Sequence, residues 1–324
     1  MSAPEPTDRD EAAALRPDAD AAVAGDADER PEGAAPVDGD EPEAAGPEAD
    51  SAGEGPAAAE RDAARGVADL LPSPFFVLLL GIAGLAGWFS WTRAEVDWTG
   101  DDSTVYLPFV FILAGWIISL ALHEYGHAAL AYRFGDRSLR GSGYLRLNPF
   151  GFRDLFAGLL MPVAFLLLGG IGLPGPATYL DPSAVPGKAR RSLVATAGIT
   201  VNLVLAAATA AAVVLLVPAE MFTDNWMLGG LMYLCYLNLG AALLNVLPIP
   251  GLDGFGVIAP HLPGDAAERM RPWGLFGVIA VFAVLWVPPV NVEVPRVMTQ
   301  VFAGLGLPQI DVGFGEVLLR FWAS

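Results

Sequence analysis

The segment LPFVFILAGWIISLALHEYGHAALAY, residues 107–132, combines two properties that rarely occur together. It is long and apolar enough to cross a bilayer as a helix, which takes about 20 mostly apolar residues. Its second half nevertheless contains the ionisable side chains of His123, Glu124 and His127. Such side chains are costly inside a membrane and usually mark a functional site. The segment therefore predicts a membrane-spanning helix that carries chemistry.

The whole chain has the composition of a membrane protein. Of its 324 residues, 54% are hydrophobic and only 17% are charged, and the mean hydropathy is +0.47. The single cysteine excludes a disulfide framework and a cysteine-rich zinc site. We predict an all-α polytopic membrane protein of the cell membrane with five to six transmembrane helices. Five stretches are long enough to cross: Pro74–Trp91, Leu107–Tyr132, Leu193–Val217, Met227–Leu247 and Trp273–Val290.

A sixth apolar stretch, Leu155–Leu173, is predicted to enter the membrane and to return on the same side. It contains Pro162 and the glycine pair at 169–170, and basic clusters flank it on both sides. Basic loops stay in the cytoplasm, so a single crossing cannot join the two clusters. The same rule places the N-terminus and the active site on the cytoplasmic side. The flanking basic residues are Arg133, Arg137, Arg140, Arg146 and Arg153 before the stretch, and Lys188, Arg190 and Arg191 after it.

The first 66 residues differ from the rest of the chain. They contain 19 acidic and 5 basic residues, a net charge of −14, and no aromatic residue. Because such a segment buries too little apolar surface to offset the entropy of ordering, residues 1–66 are predicted to be disordered. Its acidity also disfavours a nucleic acid partner. A transmembrane domain follows at 67–290, and then a C-terminal extension at 291–324, in which Phe314–Trp322 is a candidate interfacial helix.

The sequence HEYGH at residues 123–127 has the pattern of a metal site. Histidines four residues apart share one face of a helix and can bind one ion. Glu124 lies beside that face, where it can act as a base for an attacking water molecule. Zinc bound by two histidines and one carboxylate keeps one position open, as hydrolytic sites require.

The third ligand is expected to be Asp253, at the end of the fourth span. It is the only acidic residue in that span and the loop after it, and two prolines precede it. The second and fourth spans run through the membrane in the same direction, which brings His123, His127 and Asp253 to a similar depth. His261, the only other histidine, is the alternative ligand.

Together these motifs resemble the site-2 protease family of intramembrane zinc metalloproteases. In that family the two histidines and the aspartate of an LDG motif bind one zinc ion, and the glutamate is the catalytic base. NVLPIPGLDG at 245–254 matches the second motif, and AGITVN at 197–202 resembles a helix that packs between the two metal-bearing spans. The resemblance covers residues 110–262. It implies His123, His127 and Asp253 as zinc ligands and Glu124 as the base.

The resemblance also implies the reaction, which is hydrolysis of a peptide bond in or next to a transmembrane segment of a membrane protein substrate. Asn202 and Asn245 are candidates for positioning the substrate or stabilising the developing oxyanion, unless they only join helices. An unwound substrate could pair with edge strands, for which residues 141–148 and 175–180 are candidates. No PDZ or CBS module fits between or after the spans.

The residues alone leave two other functions open. A membrane protein could bind the metal without being a protease. A cation transporter could use His123, Glu124 and Asp253 as a relay, although it would need polar residues along the path, and Leu107–Ile118 provides none. The identity of the substrate and the oligomeric state do not follow from the sequence.

Overall fold

The computed structural model describes residues 71–93, 106–170, 172, 173, 175, 180–217 and 223–323, and all regular structure among them is helical. The predicted disordered tail, 1–66, lies outside the described residues. The α-helices are α1 (Pro74–Arg93), α2 (Tyr106–Phe134), α3 (Met161–Gly169), α4 (Lys188–Leu216), α5 (Trp226–Asn245), α6 (Asp253–Ile258), α7 (Ala266–Met270), α8 (Gly274–Leu285), α9 (Pro288–Gly304) and α10 (Gln309–Leu319).

Four of the predicted spans are continuous helices that are long and apolar enough to cross a membrane. They are α1, α2, α4 and α5. Each contains 20 or 29 residues and so rises about 30 Å or more at 1.5 Å per residue. This matches the hydrocarbon core of a bilayer, which is about 30 Å thick. The prediction of a polytopic helical membrane protein is confirmed to this extent.

The fifth predicted span, Trp273–Val290, is not one continuous helix. Its helical part ends at Leu285, and α9 begins at Pro288 after a bend of 88°. Pro288 and Pro289 lack the backbone N–H groups that would continue the hydrogen-bonding pattern of α8, so the chain starts a new helix there. The two parts form one broken span or a loop that turns back.

The chain turns back on itself after the stretch Leu155–Leu173, while entry of this stretch into the membrane and its return on the same side stay a prediction. A π-helical turn of five residues, Phe156–Leu160, leads into the nine residues of α3, which together rise only about 21 Å. The helix ends at Gly169, and the next residue, Gly170, has a left-handed φ of 63°. Gly175 then lies so close to the start of the segment that a Cβ atom there would overlap the carbonyl oxygen of Ala157.

The predicted edge strand at 141–148 is wrong, because this segment forms consecutive turns. Leu147 has a positive φ of 53°, and the backbones of Gly143 and Gly151 approach each other closely. The positive φ of Leu147 is not compatible with an extended strand at this position. The second candidate strand, 175–180, lies outside the described residues except at its two ends.

The core of the described helices lies between α2 and α5. Trp116 and Leu120 of α2 and Tyr233 and Leu237 of α5 are at most 2% exposed. The α4 helix packs against both of them, and the short α6 packs against α4. This arrangement brings α2, α4 and α6 together around one point, where the functional residues lie.

The C-terminal helix α10 is part of this core. It begins at Gln309, earlier than the predicted interfacial helix, and packs mainly against α5. Leu318 and Leu319 belong to the α2–α5 core cluster. The contact is close because two glycines face each other, so that a Cβ atom on Gly315 would overlap the carbonyl oxygen of Gly229.

Candidate metal centre

The two histidines of α2 point to one place inside the protein. His123 and His127 are 2% and 0% exposed, and their Nε2 atoms lie 3.2 Å apart. Their spacing of four residues puts them on the same face of the helix, one turn apart. The sequence prediction that both can bind one ion is therefore met by the geometry.

Asp253 joins them from a distant part of the chain. It is the first residue of α6, and its Oδ1 lies 3.1 Å from Nε2 of His127 while its Oδ2 lies 3.5 Å from Nε2 of His123. The loop before it turns at Gly251, with a φ of 98°. Gly254, the next residue of α6, packs so closely on this loop that a Cβ atom there would overlap the carbonyl oxygen of Val246. The glycines of the LDG region thus permit the turn that delivers the carboxylate.

The three donors fit a tetrahedral metal ion. Two donors bound at 2.0–2.2 Å in tetrahedral geometry lie about 3.3–3.6 Å apart. The two Nε2 atoms are 3.2 Å apart, and the carboxylate of Asp253 lies 3.1 Å from one of them through Oδ1 and 3.5 Å from the other through Oδ2. Among the described residues, these are the only three histidine, cysteine or acidic side chains that could hold one ion in this way. Two imidazole nitrogens and one carboxylate oxygen suit zinc and leave its fourth position open.

Helix α4 fixes the orientation of both imidazole rings. Nδ1 of His127 lies 2.7 Å from the carbonyl oxygen of Val194, and Nδ1 of His123 lies 3.2 Å from Oδ1 of Asn202. A carbonyl oxygen can only accept, so each Nδ1 carries the hydrogen and each Nε2 keeps its lone pair for the ion. Metal-binding histidines commonly have such partners for the second nitrogen.

Gly198 allows α4 to approach so closely. A Cβ atom at this position would overlap Nε2 of His127 and lie 2.6 Å from Nε2 of His123. Any other residue would therefore fill the space between the donors. Gly126 of α2 also allows the two helices to come close, since a Cβ atom there would lie 2.8 Å from a methyl group of Val201 in α4.

Two further polar residues are buried at the same depth. Glu124 is 4% exposed and follows His123 on α2, and Asn245 of α5 is 2% exposed. The parallel register of α2 and α5 is set by Asn238, which donates from Nδ2 to Ser119 Oγ over 3.1 Å. Asn245 follows Asn238 by seven residues, or about two turns of α5. Two turns after Ser119, α2 reaches Gly126, which lies between His123 and His127. Asn245 is therefore at the level of the metal ligands. Its Nδ2 has no hydrogen-bond partner among the described residues.

His261, the alternative ligand, is placed elsewhere. It is exposed, and its Nε2 lies 3.1 Å from Oγ of Ser192, at the start of α4. Ser192 also donates to the carbonyl oxygen of Val257 in α6. The third histidine therefore contributes to a contact between α4 and the segment after α6, and it is not part of the donor group.

A cavity of about 720 Å³ leads to the metal ligands. His127 and Asp253 line its inner end, and Phe255 and Val194 form apolar walls. Lys188, Arg191 and Arg271 line it as well, together with Asp181. Hydrogen bonds from Ser183 hold the pKa of Asp181 below its usual value, so this residue is a carboxylate at neutral pH. The cavity thus connects the buried donors with a strongly polar part of the protein.

Sequence reasoning missed three contributions to this centre. The carbonyl of Val194 gives no signal in a sequence. Gly198 and the contact of Asn202 with His123 could have been found, because two residues four apart in AGITVN share the face of α4 that must meet the histidines.

Helices of membrane-crossing length and a buried donor group of two histidines and one aspartate define the protein as a membrane metalloprotein. The sequence matches "Putative zinc metalloprotease Rip2" of Mycobacterium tuberculosis H37Rv with 38% identity over 252 residues, which are 78% of this chain and 95% of that protein. The protein of the same name from Mycolicibacterium smegmatis is 36% identical over 258 residues, with the same shares. "Putative zinc metalloprotease YwhC" of Bacillus subtilis is 29% identical over 205 residues, 59% of this chain and 87% of that protein. No family model and no solved structure matches.

The length and identity of these matches establish the relationship. The chain belongs to the site-2 protease family of zinc metalloproteases.

Proposed function

We propose that the protein is an intramembrane zinc metalloprotease that hydrolyses peptide bonds in or next to transmembrane segments of membrane proteins. The observation that carries this proposal is the donor group of His123, His127 and Asp253. The two histidines and Glu124 lie inside α2, a helix of membrane-crossing length, and Asp253 reaches the histidines from α6. Soluble metalloproteases have no need to place these residues there. Burying ionisable side chains in a membrane is energetically unfavourable, and it is expected where the substrate itself lies in the membrane.

Glu124 is the proposed general base and acid. Zinc bound by the three donors would lower the pKa of a water molecule to about 7 and polarise the substrate carbonyl. Glu124 takes a proton from the attacking water and later gives it to the nitrogen of the departing amine, so that one carboxylate serves both transfers. Its burial at 4% exposure keeps bulk water away from both steps.

The two asparagines have different proposed roles. Asn245 offers a buried Nδ2 donor without a partner among the described residues, at the depth of the metal ligands. This is suited to a hydrogen bond to the substrate carbonyl oxygen as negative charge develops on it. Asn202 acts through His123, whose ring it orients, and so is a positioning residue.

The active site is proposed to open towards the cytoplasm. Lys188, Arg191 and Arg271 line the cavity that leads to it, and basic residues accumulate on the cytoplasmic side of membrane proteins. This orientation also puts the N-terminus inside. The partners are then the lipid bilayer and a transmembrane substrate, whose scissile bond reaches the cavity after local unwinding of its helix.

The test uses purified full-length protein in detergent. Zinc is measured by mass spectrometry, and synthetic single-span peptides with an Asn-Gly pair near one end serve as substrates. Wild type should bind one zinc ion and cleave the peptides. Glu124→Gln should keep the zinc while cleavage falls by a factor of about 100 or more. His261→Ala, which changes the histidine outside the donor group, should behave as wild type.

The other outcomes favour the remaining functions. Stoichiometric zinc with no cleavage by wild type would indicate a metal-binding protein without protease activity. Metal uptake into proteoliposomes, abolished by Asp253→Ala, would indicate a transporter. Equal cleavage by wild type and Glu124→Gln would remove Glu124 as the base.

A further inference from the structure

One face of α4 runs from the protein surface to the metal ligands. Its inner end is fixed by Gly198 and Asn202, which lie against the two histidines. Further residues on this face, three or four positions apart, line the polar cavity. We call this face the α4 stripe and define it by Lys188, Arg191, Ala195, Gly198 and Asn202.

Exposure to solvent falls along the α4 stripe. Lys188 is exposed and Arg191 is half-buried, whereas Ala195 and Asn202 are only 9% and 2% exposed. The stripe therefore leads from solvent to the metal ligands, and its two positive charges lie in the outer half.

The two cations of the α4 stripe are available for a ligand. No ion pair joins Lys188 or Arg191 to a carboxylate among the described residues. Nε of Arg191 donates to the carbonyl oxygen of Val185 over 2.9 Å, which fixes the side chain and leaves its terminal N–H groups for another acceptor. An arginine presented in this way is suited to a carboxylate, which it can bind through two parallel hydrogen bonds.

The acidic residues of the cavity lie outside α4 and are close to its third cation, Arg271. Asp181 accepts hydrogen bonds of 2.8 and 2.7 Å from N and Oγ of Ser183. These bonds, and to a lesser extent the charge of Arg271, hold the pKa of Asp181 below its usual value. Glu268 of α7 precedes Arg271 by three residues, about one helical turn. The positive charges without such neighbours are those of Lys188 and Arg191.

The length of the α4 stripe relates these charges to the scissile bond. From Gly198 the helix rises about 10 Å to Arg191 and about 15 Å to Lys188, at 1.5 Å per residue. An unwound peptide covers about 3.3 Å per residue. If its scissile carbonyl lies at the metal, it therefore passes Arg191 after about three residues and Lys188 after about four or five.

We infer that Lys188 and Arg191 form a subsite for a carboxylate that lies about three to five residues from the scissile bond, on the segment of the substrate that leaves the membrane. This inference rests on the proposed function and adds a substrate class to it. The carboxylate belongs either to an acidic side chain just outside the span or to the end of a short segment. Binding energy from this remote contact offsets part of the cost of unwinding the substrate helix.

A binding measurement tests the subsite without requiring cleavage. The protein is zinc-loaded Glu124→Gln in detergent, and the probes are fluorescent single-span peptides with Asp, Asn or Lys at the three positions directly after the span. Anisotropy should give a Kd for the Asp peptide that is lower than that for the Asn peptide by a factor of about 5, and the Lys peptide should bind more weakly still. Salt at about 0.5 M should reduce these differences. Equal binding of the three peptides, or tighter binding of the Lys peptide, would overturn the inference.

Two further peptides distinguish the sources of the carboxylate. Both carry Asn and end four residues after the span, one with a free and one with an amidated C-terminus. Tighter binding of the Asp peptide alone assigns the subsite to acidic side chains. Tighter binding of the free terminus alone assigns it to the end of a short segment.

Charge reversal in the protein identifies the residues responsible. Lys188→Glu and Arg191→Glu should each reverse the order, so that the Lys peptide binds more tightly than the Asp peptide. Arg190→Glu is the matched control, because Arg190 is next in sequence but lies over the ring of Phe134 and does not line the cavity. It should keep the preference for Asp.

Zinc content and Tm show that each variant is folded. If the loss of the bond to Val185 unfolds Arg191→Glu, the exposed Lys188→Glu still tests the subsite. A preference for Asp that survives in the folded charge-reversal variants would overturn the inference. Absence of cleavage by wild type for all peptides would contradict the proposed function instead, and the binding series would still decide on the subsite.

Discussion

Asn202 of α4 and His123 of α2 are 79 residues apart in the chain and share a buried hydrogen bond of 3.2 Å between Oδ1 and Nδ1. The bond decides which nitrogen of His123 is free to bind an ion. It also links the helix that contributes no ligand to the helix that contributes two. The candidate metal centre therefore involves three helices, although its donor atoms come only from α2 and α6.

Removal of this bond should weaken metal binding. In Asn202→Ala the ring of His123 loses its acceptor and can rotate, so the affinity for zinc should fall by a factor of about 10–100. Competition with a fluorescent zinc chelator measures the change. Thr200→Ala, which removes an exposed side chain bonded to its own helix, is the control and should bind zinc as wild type does. Unchanged affinity in Asn202→Ala would show that the bond does not position the ligand.

The smallest change at Gly198 should have a large effect. The added methyl group of Gly198→Ala would overlap Nε2 of His127, so we expect loss of stoichiometric zinc even if the helices stay assembled. Gly84→Ala provides the contrast, because nothing lies near it and alanine stabilises a helix by up to about 1 kcal/mol relative to glycine. Zinc content by mass spectrometry and Tm separate the two effects. Full zinc occupancy in Gly198→Ala would contradict the close approach of α4.

The identity of the third ligand can be settled by two substitutions. Asp253→Ala should abolish stoichiometric zinc, because its carboxylate oxygens lie 3.1 and 3.5 Å from the two imidazole Nε2 atoms. His261→Ala should keep the zinc, since His261 contacts Ser192 instead. The reverse result would move the site from Asp253 to His261.

Much of the fold follows from local sequence. The apolar runs of α1, α2, α4 and α5 are long enough to identify these helices, although α4 begins at Lys188 and not at the predicted Leu193. HEYGH indicates two donors because a helix puts positions i and i+4 on one face. Asp253 could be placed as well, because the direction of the spans restricts which acidic residue reaches the histidines. Apolar length, helix periodicity and the direction of the spans each leave few alternative structures for these segments.

The remaining features depend on tertiary contacts. Hydropathy over Trp273–Val290 does not register the missing N–H groups at Pro288, nor the 88° bend that follows. The turns of 141–148 depend on the close approach of Gly143 to Gly151, and the packing of α10 on that of Gly315 to Gly229. Such backbone contacts cannot be seen until the partner segment is known.

Asp311 offers a test of stability outside the membrane-spanning helices. It lies in α10, is 1% exposed, and accepts a hydrogen bond from the backbone N–H of Thr223, but its Oδ2 has no partner among the described residues. Burial raises the pKa of this carboxyl group above its usual 3.8. The charged form is therefore disfavoured in the folded protein.

Asp311→Asn should stabilise the protein at neutral pH. The amide keeps an oxygen acceptor for Thr223 and removes the buried charge, so the free energy of unfolding should increase by about 1 kcal/mol, or Tm by about 2–4 °C. Because the folded pKa is raised, the wild-type carboxylate lowers stability most at pH values above it, and this penalty disappears below the unfolded pKa of about 3.8. The difference in Tm between variant and wild type should thus be present at pH 7.5 and vanish near pH 3.5. A variant that melts lower than wild type at pH 7.5 would mean that the carboxylate has a stabilising partner in the folded protein.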